Sequence, residues 1–168
     1  TRYLYDSKDR RVAKILPDNT KKIYIYAGWA IIAEYEVNTA GELSLKREYI
    51  HGPAIDEHLC MVVYPENDNE EEDYYYYIQA YNQSVRHIVD SSGAIRESYS
   101  YSAYGETQID DIDSMTSDLG NIYAYQGRQM DPESWLYYYR NRYYDPGMKR
   151  FVSMDPMGFA GSMNLYET

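Results

Sequence analysis

The sequence predicts a mainly β protein, with antiparallel hairpin repeats forming a twisted strip and little helix. Three observations lead there. Among 168 residues there are 23 Tyr and only two Phe; tyrosine has a flat apolar body and a hydroxyl that wants a partner or water, which suits a strand face. The tyrosines recur at alternate positions, as Tyr3/Tyr5, Tyr24/Tyr26, Tyr99/Tyr101 and Tyr123/Tyr125, with further units centred on Tyr35 and on Tyr49-Ile50-His51. A period of two puts both rings of a pair on one face of a strand. Turn signals separate them: Pro17-Asp18-Asn19, Asn38-Thr39-Ala40-Gly41, His51-Gly52-Pro53, Asp90-Ser91-Ser92-Gly93 and Tyr104-Gly105.

The hairpins follow in order. Arg2–Leu4 and Arg11–Leu16 flank Asp6-Ser7-Lys8-Asp9, and Ala30–Val37 and Leu43–Ile50 flank Asn38–Glu42. Residues 65–73 carry six carboxylates and no apolar side chain, so self-repulsion predicts an extended, solvated loop. Arg86–Asp90 and Ala94–Tyr101 flank Ser91-Ser92-Gly93, and the alternation Glu97-Ser98-Tyr99-Ser100-Tyr101 marks one buried and one wet face. The polar stretch Thr107–Asn121, with Asp110, Asp111 and Asp113, reads as a linker. Residues 1–119 hold 11 basic and 22 acidic side chains while residues 120–168 hold five of each. The chain therefore divides into hairpin repeats (1–119, with the acidic loop near 65–73) and a neutral C-terminal block (120–168).

Charge excludes some functions. With 16 Lys+Arg against 27 Asp+Glu, the net charge is −11, which argues against nucleic acid, since phosphate-backbone binding needs basic groups to displace counterions. One cysteine, Cys60, excludes an internal disulfide framework. No apolar run reaches ~18 residues, so no membrane-spanning helix is expected. The opening Thr1–Asp6 lacks both an initiator Met and an apolar signal region and reads as a cut edge.

The C-terminal block is the most specific part. The run Tyr125-Gln126-Gly127-Arg128-Gln129-Met130-Asp131-Pro132, continuing through Trp135-Leu136-Tyr137-Tyr138-Tyr139-Arg140-Asn141-Arg142-Tyr143-Tyr144-Asp145-Pro146 to Arg150-Phe151, Asp155-Pro156-Met157-Gly158 and Asn164-Leu165-Tyr166, resembles the core signature of Rhs/YD-repeat proteins. Upstream, Tyr3-Leu4-Tyr5-Asp6 with Arg10 and Val12 resembles a YD repeat, with Asp9 where the repeat usually has Gly. The resemblance extends over essentially the whole chain. It implies a fragment of a β-strip that winds into a shell around a C-terminal cargo, as in Tc toxin C components, bacterial Rhs toxins and teneurins. The implied partners are the rest of the parent shell and the cargo, and the implied location is extracellular or at the cell surface.

The same resemblance implies a site. Asp155 matches the first Asp-Pro-x-Gly of the family's self-cleaving aspartyl protease, and Arg142 matches the Arg of its Arg-Tyr-Tyr run. Such a protease needs two carboxylates sharing one proton; the partner of Asp155 is then a residue beyond Thr168 or, as the second choice, Asp145. The alternative is that Asp131-Pro132, Asp145-Pro146 and Asp155-Pro156 are ordinary turns. The expected function is a structural shell and plug segment, with no activity of its own. The alternatives are an autoprotease core that releases the C-terminal segment inside the shell, and a glycan-binding surface adhesin stacking sugars on Tyr74–Tyr77 and Tyr137–Tyr139. Open sheet edges point to self-association. His58 and Cys60 fall on one side of a strand by spacing, without a third donor, so neither a metal nor a cofactor is expected.

Overall fold

The computed structural model describes residues 1–66, 70–110, 117–156 and 166. The centre of the acidic run, Asp111, Asp113, and Gly158 with the Asn164-Leu165 pair lie outside the described residues. Among those described, ten strands form one antiparallel sheet in sequence order: β1 (Arg2–Tyr5), β2 (Arg11–Ile15), β3 (Lys21–Ala27), β4 (Ala30–Val37), β5 (Leu43–His51), β6 (His58–Val63), β7 (Asp73–Gln79), β8 (Val85–Asp90), β9 (Ile95–Tyr101) and β10 (Thr107–Asp110). A single-turn 3-10 element, Tyr125–Gly127, then leads into a four-stranded antiparallel sheet of β11 (Gln129–Asp131), β12 (Leu136–Tyr138), β13 (Tyr143–Asp145) and β14 (Arg150–Phe151). The predicted antiparallel hairpin fold is what the chain adopts.

One turn is used repeatedly. In six hairpins the residue before the turn (Asp6, Leu16, Asn38, Ala80, Asp90 or Ser102) accepts at its carbonyl from the N–H three residues on, and its own N–H donates to the carbonyl four residues on. The fourth residue has positive φ in every case: Asp9 (58°), Asn19 (70°), Gly41 (88°), Gln83 (65°), Gly93 (83°) and Gly105 (88°). This is the three-residue hairpin loop, a type I turn closed by a left-handed residue. Asp9, which departs from the repeat's usual Gly, holds the glycine conformation, and the Asp6 carboxylate supports it by accepting from the Lys8 and Arg10 N–H groups at 2.9 and 3.0 Å.

The main core lies on one face of the large sheet. Tyr24, Ile31, Tyr49, Met61, Tyr75, Val85, Ile88, Tyr99 and Ile109 are buried there together with Tyr123 from the chain that crosses over them. Ile25, Ile50, Tyr76 and Ile78 are exposed, as strand alternation requires. Two acids are buried on the inner face, and each is compensated. Glu34 is bonded by Lys22 (3.0 Å), Arg47 (3.2 Å) and the Tyr49 hydroxyl (3.3 Å). Glu97 accepts from Tyr99, from the Ser117 hydroxyl at 2.8 Å and from the Leu119 N–H at 3.0 Å. A buried carboxylate without such donors would cost several kcal/mol, on the order of 3–5 once a partner is lost. Glu97 thus fixes where the crossing segment begins.

Several expectations need correction. The supposed linker starts as strand β10, pairing Thr107–Asp110 with Ser98–Tyr101; Thr107 and Ile109 are buried, with Gln108 exposed between them. Tyr123 and Tyr125 do not share a strand. Tyr123 forms a single bridge to Gln129, and Tyr125 opens the 3-10 turn. Spacing also misplaces Cys60 relative to His58. Cys60 pairs with Ile50 and His58 with His51, with a register shift between. Neighbouring residues of β5 face opposite ways, so the bulge at Leu59 puts His58 on the inner face and Cys60 on the outer one, where Cys60 is nonetheless buried. Of the tyrosine runs, Tyr74 and Tyr76 are exposed while Tyr137 and Tyr138 are both buried. The second run is therefore sandwiched on two sides and offers no stacking platform.

Candidate functional site

The small sheet docks on both ends of the large one. At the first hairpin, Asp131 at the end of β11 receives Arg11 at 2.5 Å and Lys14 at 3.1 Å from β2, with the Tyr3 hydroxyl at 3.2 Å. Arg11 donates also to the Gln129 side chain at 3.0 Å, and its guanidinium lies 5.0 and 4.7 Å from the ring centroids of Tyr3 and Tyr138. Burial is the largest single effect on Arg11 and opposes its charge, but Asp131, Tyr24 and Tyr143 together outweigh it and hold the guanidinium above its ordinary pKa. At the last strands, the Tyr137 hydroxyl bonds to Thr107 and to the Gly105 carbonyl at 2.9 Å, and the Tyr144 hydroxyl donates to the Tyr104 carbonyl at 3.0 Å. Asp131, read from sequence as a turn residue, keeps that role through its carbonyl, which accepts from the Trp135 N–H at 2.8 Å. Its side chain is 2% exposed and joins the two sheets.

The structure brings Arg142 and Asp155 together. Nη1 of Arg142 stands 3.2 Å from Oδ2 of Asp155, with both side chains about one-fifth exposed (20% and 23%). The turn between β12 and β13 sets Arg142 in place through the Tyr139 N–H, which donates to the Arg142 carbonyl at 2.8 Å. The guanidinium covers Phe151 of β14 with 3.6 Å from its carbon to the ring centroid. An arginine packed this way can orient a carboxylate or a strand beside it. Asp145 is arranged differently. Its Oδ1 accepts from the Met148 N–H at 3.0 Å, and its backbone pairs with Arg150 across the β13–β14 turn.

A third arrangement was not legible from sequence. A cleft of about 300 Å³ opens between the β3–β4 turn, the β5–β6 loop and the C-terminal block. Asp56 stands on its wall, bonded by Arg128 at 2.8 Å and Arg140 at 3.1 Å. Burial raises the Asp56 pKa although both arginines and His51 pull it down. Its floor is an imidazole pair, with Nδ1 of His51 2.9 Å from Nδ1 of His58. The Nε2 atoms face the carbonyls of Ile31 (2.6 Å) and Gly127 (3.0 Å); two neutral imidazoles bring two hydrogens to these three contacts, so with His58 donating to Gly127, His51 can donate either to Ile31 or to His58. Tyr123 stacks on His58 at 3.7 Å, and burial pushes the His58 pKa down to about 3. Gly127 permits this closeness. Its φ is +63°, and a Cβ there would meet the Asp56 carbonyl at 2.6 Å. Among the described residues, no three His, Cys, Asp or Glu side chains form a metal-binding group, and no helix is long and apolar enough to cross a membrane.

No family model matches the chain. It is 31% identical over 156 residues to the tRNA3(Ser)-specific nuclease WapA of Bacillus spizizenii, spanning 92% of this chain and 6% of that protein. It is 27% identical over 166 residues to the probable deoxyribonuclease RhsA of Dickeya dadantii, spanning 98% of this chain and 11% of that one. Among solved structures, TcdB2-TccC3-Cdc42 superposes with a TM-score of 0.75 at 23% identity, over 99% of this chain and 8% of the other. The chain thus spans a small part of each of these proteins.

Proposed function

This chain is an Rhs/YD-repeat protein by sequence and fold, and from that premise we propose that it closes a β-strip shell: residues 1–119 as repeat wall, residues 120–168 as the core that plugs it. One observation carries this reading. The four-stranded sheet bonds both to the first hairpin, through Asp131 with Arg11 and Lys14, and to the last strands, through Tyr137 and Tyr144. A block tied at both ends of a strip resists its uncurling, which is what a plug requires. The parent is a secreted or cell-surface toxin whose cargo follows the core. The relatives' names put nucleases among such proteins. The test is limited proteolysis of a longer parent carrying its cargo. The cargo should be protected in the parent and cut once Asp131→Ala has loosened the plug; a cargo cut equally fast in both sinks the shell reading.

The Arg142–Asp155 contact favours a second reading, an autoprotease core in the parent. Asp155 supplies one carboxylate, and Arg142 orients it or the strand to be cut. A second carboxylate is required; Asp145, engaged in its own turn, is the weaker candidate. Intact mass of the parent decides. Two fragments are expected from the parent and one from its Asp155→Asn variant, whereas identical patterns remove Asp155 from the chemistry.

A further inference from the structure

We propose that the cleft between Trp29 and the Asp56–Arg128–Arg140 cluster is a binding site for a peptide carboxylate that stands beside an aromatic or apolar side chain. The argument begins with a surplus of donors. A guanidinium is built to grip both oxygens of one carboxylate. Here the two oxygens of Asp56 are divided, Oδ2 to Arg128 and Oδ1 to Arg140, so neither arginine has a whole carboxylate. The Nε of Arg128 is buried and lacks an acceptor. The two guanidiniums thus offer more N–H donors than the one carboxylate of Asp56 accepts. Of the other charged groups on the wall, Arg10 is paired with Asp6 at 2.6 Å, and the Glu57 carboxylate accepts from the Ala54 N–H at 3.1 Å and keeps its charge.

The lip supplies the apolar half. Trp29 is 48% exposed at the tip of the β3–β4 turn and Ile55 is 72% exposed on the β5–β6 loop, while the Arg140 guanidinium lies 5.9 Å from the Trp29 ring centroid. A flat ring entering beside Trp29 would place a carboxylate on its backbone or side chain against Arg140. About 300 Å³ lies at the small end of ligand pockets and suits one such residue. The frame is preorganised. Asp56 and Arg140 both hold left-handed backbones, at φ 61° each, and Gly127 lets the loop and the 3-10 turn meet without a side chain between them. This site is separate from the Arg142–Asp155 pair, and it stands or falls without any self-cleavage.

The experiment is a ¹⁵N NMR titration of the chain with N-acetyl-L-phenylalanine, with N-acetyl-L-phenylalaninamide and inorganic phosphate as parallel probes. The Trp29 indole signal should shift and saturate with the acid. The amide should bind about ten-fold or more weakly, as loss of one charge-assisted hydrogen bond dictates. Arg140→Gln should cost a similar factor. Trp29→Ala, on an exposed turn that leaves the sheets alone, should weaken the acid while the rest of the spectrum stays in place. A signal that does not move, an amide that binds as tightly as the acid, or phosphate that displaces the acid overturns the assignment.

Discussion

A residue that departs from a repeat can still do the repeat's work. Six turns demand a left-handed residue at one position; glycine fills three, and Asp9, Asn19 and Gln83 fill the others. Asp and Asn tolerate that conformation because a short polar side chain can bond locally, whereas Gln cannot do so as readily. Gln83→Gly should therefore remove strain worth roughly 1–2 kcal/mol and add chain entropy to the unfolded state worth about 0.5–1 kcal/mol. The net expectation is a gain of up to about 1 kcal/mol in urea denaturation, and a loss would show that Gln83 is held by something other than the turn. These turns were legible because Gly, Asn and Asp announce them. Asp131 was not: a carboxylate before a proline signals a turn, and nothing local reveals that Arg11 and Lys14, more than a hundred residues away, bury it.

At the scale of elements, alternation predicts which residues share a face until a bulge intervenes. In Glu97–Tyr101 it placed Tyr99 on the buried face. It failed at Leu59, where one extra residue reverses His58 relative to Cys60, because a bulge depends on the partner strand and leaves no mark in its own. That reversal has a measurable consequence. His58 keeps a folded pKa of about 3 against 6.5 unfolded, so its neutral form stabilises the fold fully above 6.5. As pH falls from 6.5 towards 3, the unfolded chain takes up a proton that the folded chain refuses, and stability falls by on the order of 3–5 kcal/mol. Asp90, whose carboxyl the Ser92 hydroxyl holds below its ordinary 3.8, acts at lower pH still. His58→Phe should thus be less stable near neutrality, since the Gly127 carbonyl loses its donor at a cost of about 1–3 kcal/mol, but should lose less on acidification. Denaturant midpoints at about pH 7 and pH 4.5 decide; equal acid losses in both proteins would mean His58 is protonated within the fold.

At the scale of the whole molecule, two opposing terms govern how copies meet. The ten-stranded sheet is open, with β1 and β10 at its edges, and an edge strand presents unpaired backbone groups that can add another strand. Exposed Ile25, Ile50, Tyr76 and Ile78 give its outer face an apolar stripe that a second copy stacked face to face would cover. Against both stands a net charge of −11, which repels a second copy over a distance that shrinks from about 30 Å at 0.01 M salt to about 3 Å at 1 M. Salt leaves the hydrogen bonds of an edge pairing nearly unchanged while removing the repulsion. Sedimentation velocity should therefore show monomer at low ionic strength and a growing dimer fraction as salt rises, the reverse of an association held by ion pairs. The contact can also be located. Ile50→Lys, on the outer face and away from the core, should suppress the dimer if copies stack through the stripe, and leave it intact if they pair edge to edge. A chain that remains monomeric in about 1 M salt at high concentration would show that the small sheet, docked across both ends, already shields the edges on its own.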